Sequence, residues 1–166
     1  MNEKDIISEM EKWSEQIVEQ PNREFGNLPV CPFAKQSRLD KKIRWEVLDY
    51  KLDEVEVILK LIDDFQPNIH DIMIIVNPNK HESMEGFFTW VSNNLKPYAD
   101  TKKLECLPAH PDCVWPVGSW ITRWPYQCLL ISTHALLKSK SEKLLNTKYY
   151  RLWAESILKE LGIPRQ

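Results

Sequence analysis

The chain has 166 residues, of which 43% are hydrophobic and 28% charged, a balance that fits one soluble globular domain with one core. With 22 Lys and Arg against 24 Asp and Glu, the net charge is −2, so no positive field is available to hold a phosphate backbone and nucleic acid is not an expected partner. The longest strongly apolar run, Ile72 to Val76, is far short of the ~20 residues of a membrane helix, and the N-terminus Met1-Asn-Glu-Lys-Asp is acidic rather than signal-like, so the reading is a cytoplasmic chain with no membrane segment.

In chain order, Ile6, Met10, Trp13, Ile17 and Val18 recur at helical spacing over residues 3–20, and Pro21 ends the helix. A stretch rich in proline and asparagine leads to Cys31-Pro32-Phe33-Ala34, where Pro32 suits the first turn of a helix. Ile43, Trp45 and Val47 alternate as in a strand, and Val55, Ile58, Leu59 and Ile62 restore the helical period through Phe65. The run from Ile72 to Val76, closed by Asn77-Pro78, suits a strand buried on both faces, and Met84, Phe87, Phe88, Val91 and Leu95 make the next helical stripe. Residues 103–107 form a third, shorter strand. Cys128 to Ile131 has strand character, but Pro125 at a first turn followed by Leu129, Leu130, Leu136 and Leu137 favours a helix over 125–137. Tyr149, Tyr150, Trp153, Ile157, Leu158 and Leu161 read as a terminal amphipathic helix stopped by Gly162 and Pro164. The expected fold is therefore a single α/β domain spanning 1–166, with a small, mainly parallel three-stranded sheet flanked by helices and a site at the strand ends.

Three proline-marked loops carry the residues that chemistry could use. Cys31, placed before Pro32, would face a helix N-terminus, which favours thiolate, and Lys35 and Arg38 would add to the effect. Such a thiol is a nucleophile, a redox group or a metal ligand; the competing reading is a small buried cysteine. The four cysteines are expected to be free thiols. Cys106-x3-His110-x2-Cys113 has ligand-like residues, and if Cys106 faces the core, Cys31, His110 and Cys113 remain as a three-ligand set with an open position for Zn, Fe or Cu, although no Cys-x2-Cys pair occurs. His110, before Pro111, is held in an extended segment after a strand, either as a general base or as a loop histidine bonded to backbone. Arg123 and Tyr126 flank Trp124-Pro125 and suit a carboxylate or phosphate, the alternative being an arginine stacked on Trp120 or Trp124. Trp115, Trp120 and Trp124 wall a pocket, form a contact surface, or pin the loop to the core.

Taken together, Cys31-Pro32-Phe33-Ala34-Lys35, His110-Pro111 and Arg123-Trp124-Pro125-Tyr126 resemble, in this order, the motifs of an uncharacterised bacterial family, domain of unknown function 1415. The resemblance runs from the first helix to about Leu137 and implies that Cys31, His110, Arg123 and Tyr126 form a family site, without implying an activity. Three functional readings follow. The first is a small enzyme with Cys31 as nucleophile or redox thiol, His110 as base or thiolate partner, and Arg123 and Tyr126, with Lys35, Trp120 and Trp124, holding an anionic small molecule. The second is a metalloprotein with Cys31, His110 and Cys113 as ligands. The third is a non-catalytic module docking a protein partner through its tryptophans.

Overall fold

The computed structural model describes residues 2–79, 82–114, 117, 123–160 and 162–164. Trp115, Trp120 and Leu161 lie outside the described residues. Helix α1 (Glu3–Trp13) opens with a reciprocal cap between Asn2 and Asp5 and continues through a π-turn at Ser14–Val18. A two-residue ladder pairs β1 (Pro21–Asn22) with β2 (Leu28–Pro29), and α2 (Ala34–Leu39) leads to β3 (Ile43–Val47). There follow α3 (Val55–Asp63), β4 (Ile72–Asn77), α4 (Met84–Trp90), α5 (Lys96–Thr101), β5 (Leu104–Ala109), β6 (Gln127–Thr133), α6 (His134–Leu144) and α7 (Glu155–Glu160).

The main sheet has four strands in the order β3-β4-β6-β5. This corrects the expected three-stranded sheet. Residues 127–133 are a strand, not part of a helix, and they insert between β4 and β5, antiparallel to both. Only β3 and β4 pair in parallel, so the sheet is mixed rather than mainly parallel. The physical reason lies in β6 itself: Leu129 and Ile131 meet one layer, Cys128 and Leu130 the other, and a strand covered on both faces loses the alternation that would distinguish it from a buried helix. The terminal helix is also shorter than expected: residues 149–153 form turns, and Tyr149, Tyr150 and Trp153 build an aromatic cluster with Phe25 instead of a helical stripe.

Helices cover both faces. Ile58 and Ile62 of α3, Phe87 of α4, Val91 and Leu95 of the following π-turn, and Ala99 of α5 pack on Met73, Ile75, Leu129, Ile131 and Cys106. Ile6 and Met10 of α1 pack on the opposite face, against Ile74, Val76, Ala109 and Cys128. The alternation of Met73 and Ile75 with Ile74 and Val76 divides β4 between the two layers, as the period of two requires. A third cluster joins Phe25, Leu144, Tyr149, Tyr150 and Leu158, with Val30 and Phe33 from the Cys31 loop packed against it. Among the described residues no helix is long and apolar enough to cross a membrane.

Candidate functional site

Because β5 is antiparallel to β6 and β6 to β4, the carboxyl ends of β3, β4 and β5 and the start of β6 lie at one end of the sheet. Polar side chains gather there. The buried Asn77 amide donates to the Tyr50 carbonyl at 2.8 Å, and its Oδ1 accepts the Asn79 N–H at 3.1 Å. The Asn79 amide donates to the Asp49 carboxylate at 2.8 Å. These bonds tie the loops after β3 and β4 to one another, so the sheet end is braced by side chains where the ladder stops. Beside Asn77 in the β4–β6 register stands Gln127, whose buried amide has no hydrogen-bond partner among the described residues, and the buried Tyr50 hydroxyl likewise has none among them. The amide is near enough to influence the phenol's ionisation but not in hydrogen-bonding geometry; burial dominates and pushes the Tyr50 pKa well up.

Tyr126 lies at the same end. Its hydroxyl donates to Glu9 Oε2 of α1 at 2.6 Å, and burial with the adjoining carboxylate pushes its pKa up to about 12. Ile6, Pro78, Asn79 and Tyr126 line a cleft of about 360 Å³. Arg123, three residues ahead, is exposed and makes no ion pair with a described residue. Trp124, half-buried, packs its ring on Trp13 with centroids 4.7 Å apart, which pins the Arg123–Tyr126 segment along α1. Trp124 thus acts as a staple of the loop to the core, rather than as an exposed contact surface.

His110 follows β5 and is fully buried. Its Nδ1 accepts the Asp112 N–H at 3.1 Å, which leaves Nε2 to carry the ring proton and donate to the Glu82 carbonyl at 3.2 Å. Both ring nitrogens are therefore taken by backbone groups, and Phe87 lies 6.2 Å from the ring, centroid to centroid. This is the backbone-bonded loop histidine of the alternative reading. Cys113 closes the same turn, its N–H donating to the His110 carbonyl at 2.9 Å.

Cys31 is elsewhere. The α2 segment ends where the Lys42 carbonyl accepts the Asp71 N–H and Ser37 Oγ donates to the Asp71 carboxylate, at the amino ends of β3 and β4. The neighbours of Cys31 include Val18, whose carbonyl accepts its N–H at 3.1 Å, with Glu19, Lys140 and Tyr149, whereas the His110 ring bonds to the backbone of Glu82 and Asp112. Tyr149 donates to the Val30 carbonyl and Lys140 Nζ lies 4.4 Å from the centre of the Phe33 ring, so the C-terminal cluster holds this loop. The N–H groups of Phe33 and Ala34 favour thiolate, as a helix start provides, while the Ala34 N–H donates to the Cys31 carbonyl at 3.1 Å. Desolvation outweighs them and pushes the Cys31 pKa up, the reverse of the expected thiolate. The residue as a whole nonetheless keeps exposed surface. Arg38, expected to assist, is committed instead to a two-pronged bond with buried Glu19 (2.8 and 2.9 Å) and to Glu15 at 2.7 Å. Lys35 is exposed, and its charge acts on Glu19.

All four cysteines are unbridged. Among the described residues no three His, Cys, Asp or Glu side chains converge as metal ligands, so Cys31, His110 and Cys113 do not form the expected ligand set. The chain matches no family model, no curated protein and no solved structure. Arg123 and Tyr126 are candidates on sequence grounds; Glu9, Asn77, Asn79 and Gln127, which stand at the same sheet end, are not among them. The signal for Asn77 was a buried amide closing an apolar strand; for Glu9, no local signal exists, because a mid-helix glutamate reads as solvated.

Proposed function

We propose that this protein binds a small polar molecule in the cleft at the carboxyl end of β3 and β4, with Arg123 and Tyr126 as its anchors, and that it belongs with the proteins carrying the three motifs of domain of unknown function 1415. The supporting observation is the cleft of about 360 Å³, lined by Ile6, Pro78, Asn79 and Tyr126, at the sheet end where open α/β sheets hold ligands. Arg123 does not line the cleft itself; exposed and three residues ahead of Tyr126, it would offer its fork to one carboxylate or phosphate of the ligand. The ligand also has hydroxyl or amine donors for the carboxylates of Glu9 and Asp49, which already orient Tyr126 and Asn79. Ile6 and Pro78 supply apolar contact. A thiol–imidazole mechanism has less support, since the Cys31 thiol is held protonated by desolvation and both nitrogens of His110 are occupied.

Amide-resolved NMR titration with hydroxy acids, amino acids and sugar phosphates tests this reading. A ligand of the proposed class shifts Ile6, Asn79 and Tyr126 saturably, and Arg123→Gln weakens it about tenfold, the worth of one charge-assisted hydrogen bond. Binding that leaves these amides unmoved, or that survives Arg123→Gln unchanged, overturns it.

A further inference from the structure

A second concavity, of about 350 Å³, opens away from the sheet end, between the turn at residues 23–27 and the turns at 148–152. Both walls are stiff for local reasons. In the first, the Asn22 side chain accepts the Glu24 N–H at 2.9 Å, and Gly26 and Asn27 are successively left-handed (φ 68 and 64), which folds the chain back so that the Asn27 N–H meets the Asn22 carbonyl at 3.0 Å. In the second, Thr147 Oγ1 accepts the Tyr149 N–H at 3.1 Å, and the Arg151 N–H donates to the Lys148 carbonyl at 3.3 Å. The walls touch at Gly26: a Cβ there would stand 2.7 Å from Lys148 Cβ and 2.8 Å from its carbonyl atoms. Beneath them, Phe25 is buried against Tyr149 and Trp153, with ring centroids 5.3 and 6.0 Å apart.

The lining of this concavity is cationic: Arg23, Lys148 and Arg151 line it, with Glu24 the one acid among the lining residues, although the whole chain carries a net charge of −2. None of the three cations makes an ion pair with a described residue. Two guanidinium groups and an ammonium left unneutralised around one rigid concavity make a field that a multiply charged oxyanion would complete. Leu152, 46% exposed, offers an apolar contact beside them.

We propose that this cleft is a second ligand site, for a phosphorylated small molecule whose phosphate is held by Arg23, Lys148 and Arg151 and whose apolar body lies on Leu152. The site is separate from the Arg123–Tyr126 cleft and does not depend on it.

Inorganic phosphate and phenyl phosphate are the probes, followed by amide-resolved NMR titration of the full chain. Both should shift residues 23–27 and 148–152 saturably. Phenyl phosphate should bind several-fold more tightly, and Leu152→Ser should abolish that preference. Arg151→Gln should raise the dissociation constant about tenfold, as should Arg23→Gln, each removing one charge-assisted contact. Both side chains are exposed, so these variants should keep the wild-type circular dichroism spectrum; if one fails to fold, the other is read alone. Arg123→Gln, which belongs to the other cleft, should leave the shifts of residues 23–27 and 148–152 unchanged. Shifts spread without saturation over surface lysines, shifts at 23–27 and 148–152 indifferent to both arginine variants, or loss of those shifts in Arg123→Gln would each overturn the proposal.

Discussion

The Cys31 thiol offers the sharpest test of how the local field is balanced. Two influences oppose one another there: the backbone N–H groups of Phe33 and Ala34, with Lys140, favour thiolate, while desolvation and the carboxylate of Glu19 favour thiol. Desolvation is the largest, so the pKa lies above the ordinary thiol value of about 8.5, and below about 3% of the side chain is thiolate at pH 7. Iodoacetamide reacts with the thiolate alone. Its rate at Cys31, followed by mass spectrometry of peptides so that Cys113 is scored separately, should therefore climb about tenfold per pH unit from pH 7 and show no plateau below about 8.5. Lys140→Glu removes a cation that favours thiolate and should move the whole profile to higher pH. Cys106 and Cys128, both fully buried, should stay unlabelled until the protein unfolds. A half-maximal rate below pH 8, with a plateau at neutrality, would refute the reasoning and restore an activated thiol.

Three further outcomes follow from the same structure. Burial raises the pKa of Tyr50, Tyr149 and Cys128, and takes Cys106 to about 12, so the folded state holds these protons more tightly than the unfolded chain; stability should be flat through neutral pH and fall by roughly 1.4 kcal/mol per pH unit for each cysteine above about pH 8.5 and for each tyrosine above about pH 10, measured by urea unfolding. Arg38→Met leaves the Glu19 carboxylate, 3% exposed, without its two-pronged partner and should cost about 2–3 kcal/mol near neutrality; because Arg38 holds the Glu19 pKa below the usual carboxylate range, the wild type's advantage over the variant should vanish as pH falls through and below about 4. Gly26→Ala combines a left-handed backbone with a Cβ 2.7–2.8 Å from Lys148 and should cost about 2–4 kcal/mol, lowering the melting temperature by roughly 5–15 °C.

Helices α1, α3 and α4 and strands β3, β4 and β5 were legible in the sequence, because each carries one apolar face at a period of 3.6 or 2, or a buried run closed by Asn77-Pro78, and that periodicity is written locally. So was the presence of polar groups where the loops meet the strand ends. Strand β6 was not legible: its position between β4 and β5 buries it from both sides, and only the pairing of Ile72 with Ser132 and of Leu104 with Thr133 decides that it is extended. The aromatic residues at 149–153 misled for a related reason, since packing against Phe25, remote in sequence, overrides their helical spacing. The sites divide in the same way. Residue type alone made Cys31, His110, Arg123 and Tyr126 candidates. Whether the thiol is hydrated, whether the imidazole nitrogens are free, and whether Arg23, Lys148 and Arg151 share one concavity all depend on surroundings assembled from distant segments. Ionisation and ligand geometry are set by that three-dimensional environment, which no local stretch of chain encodes.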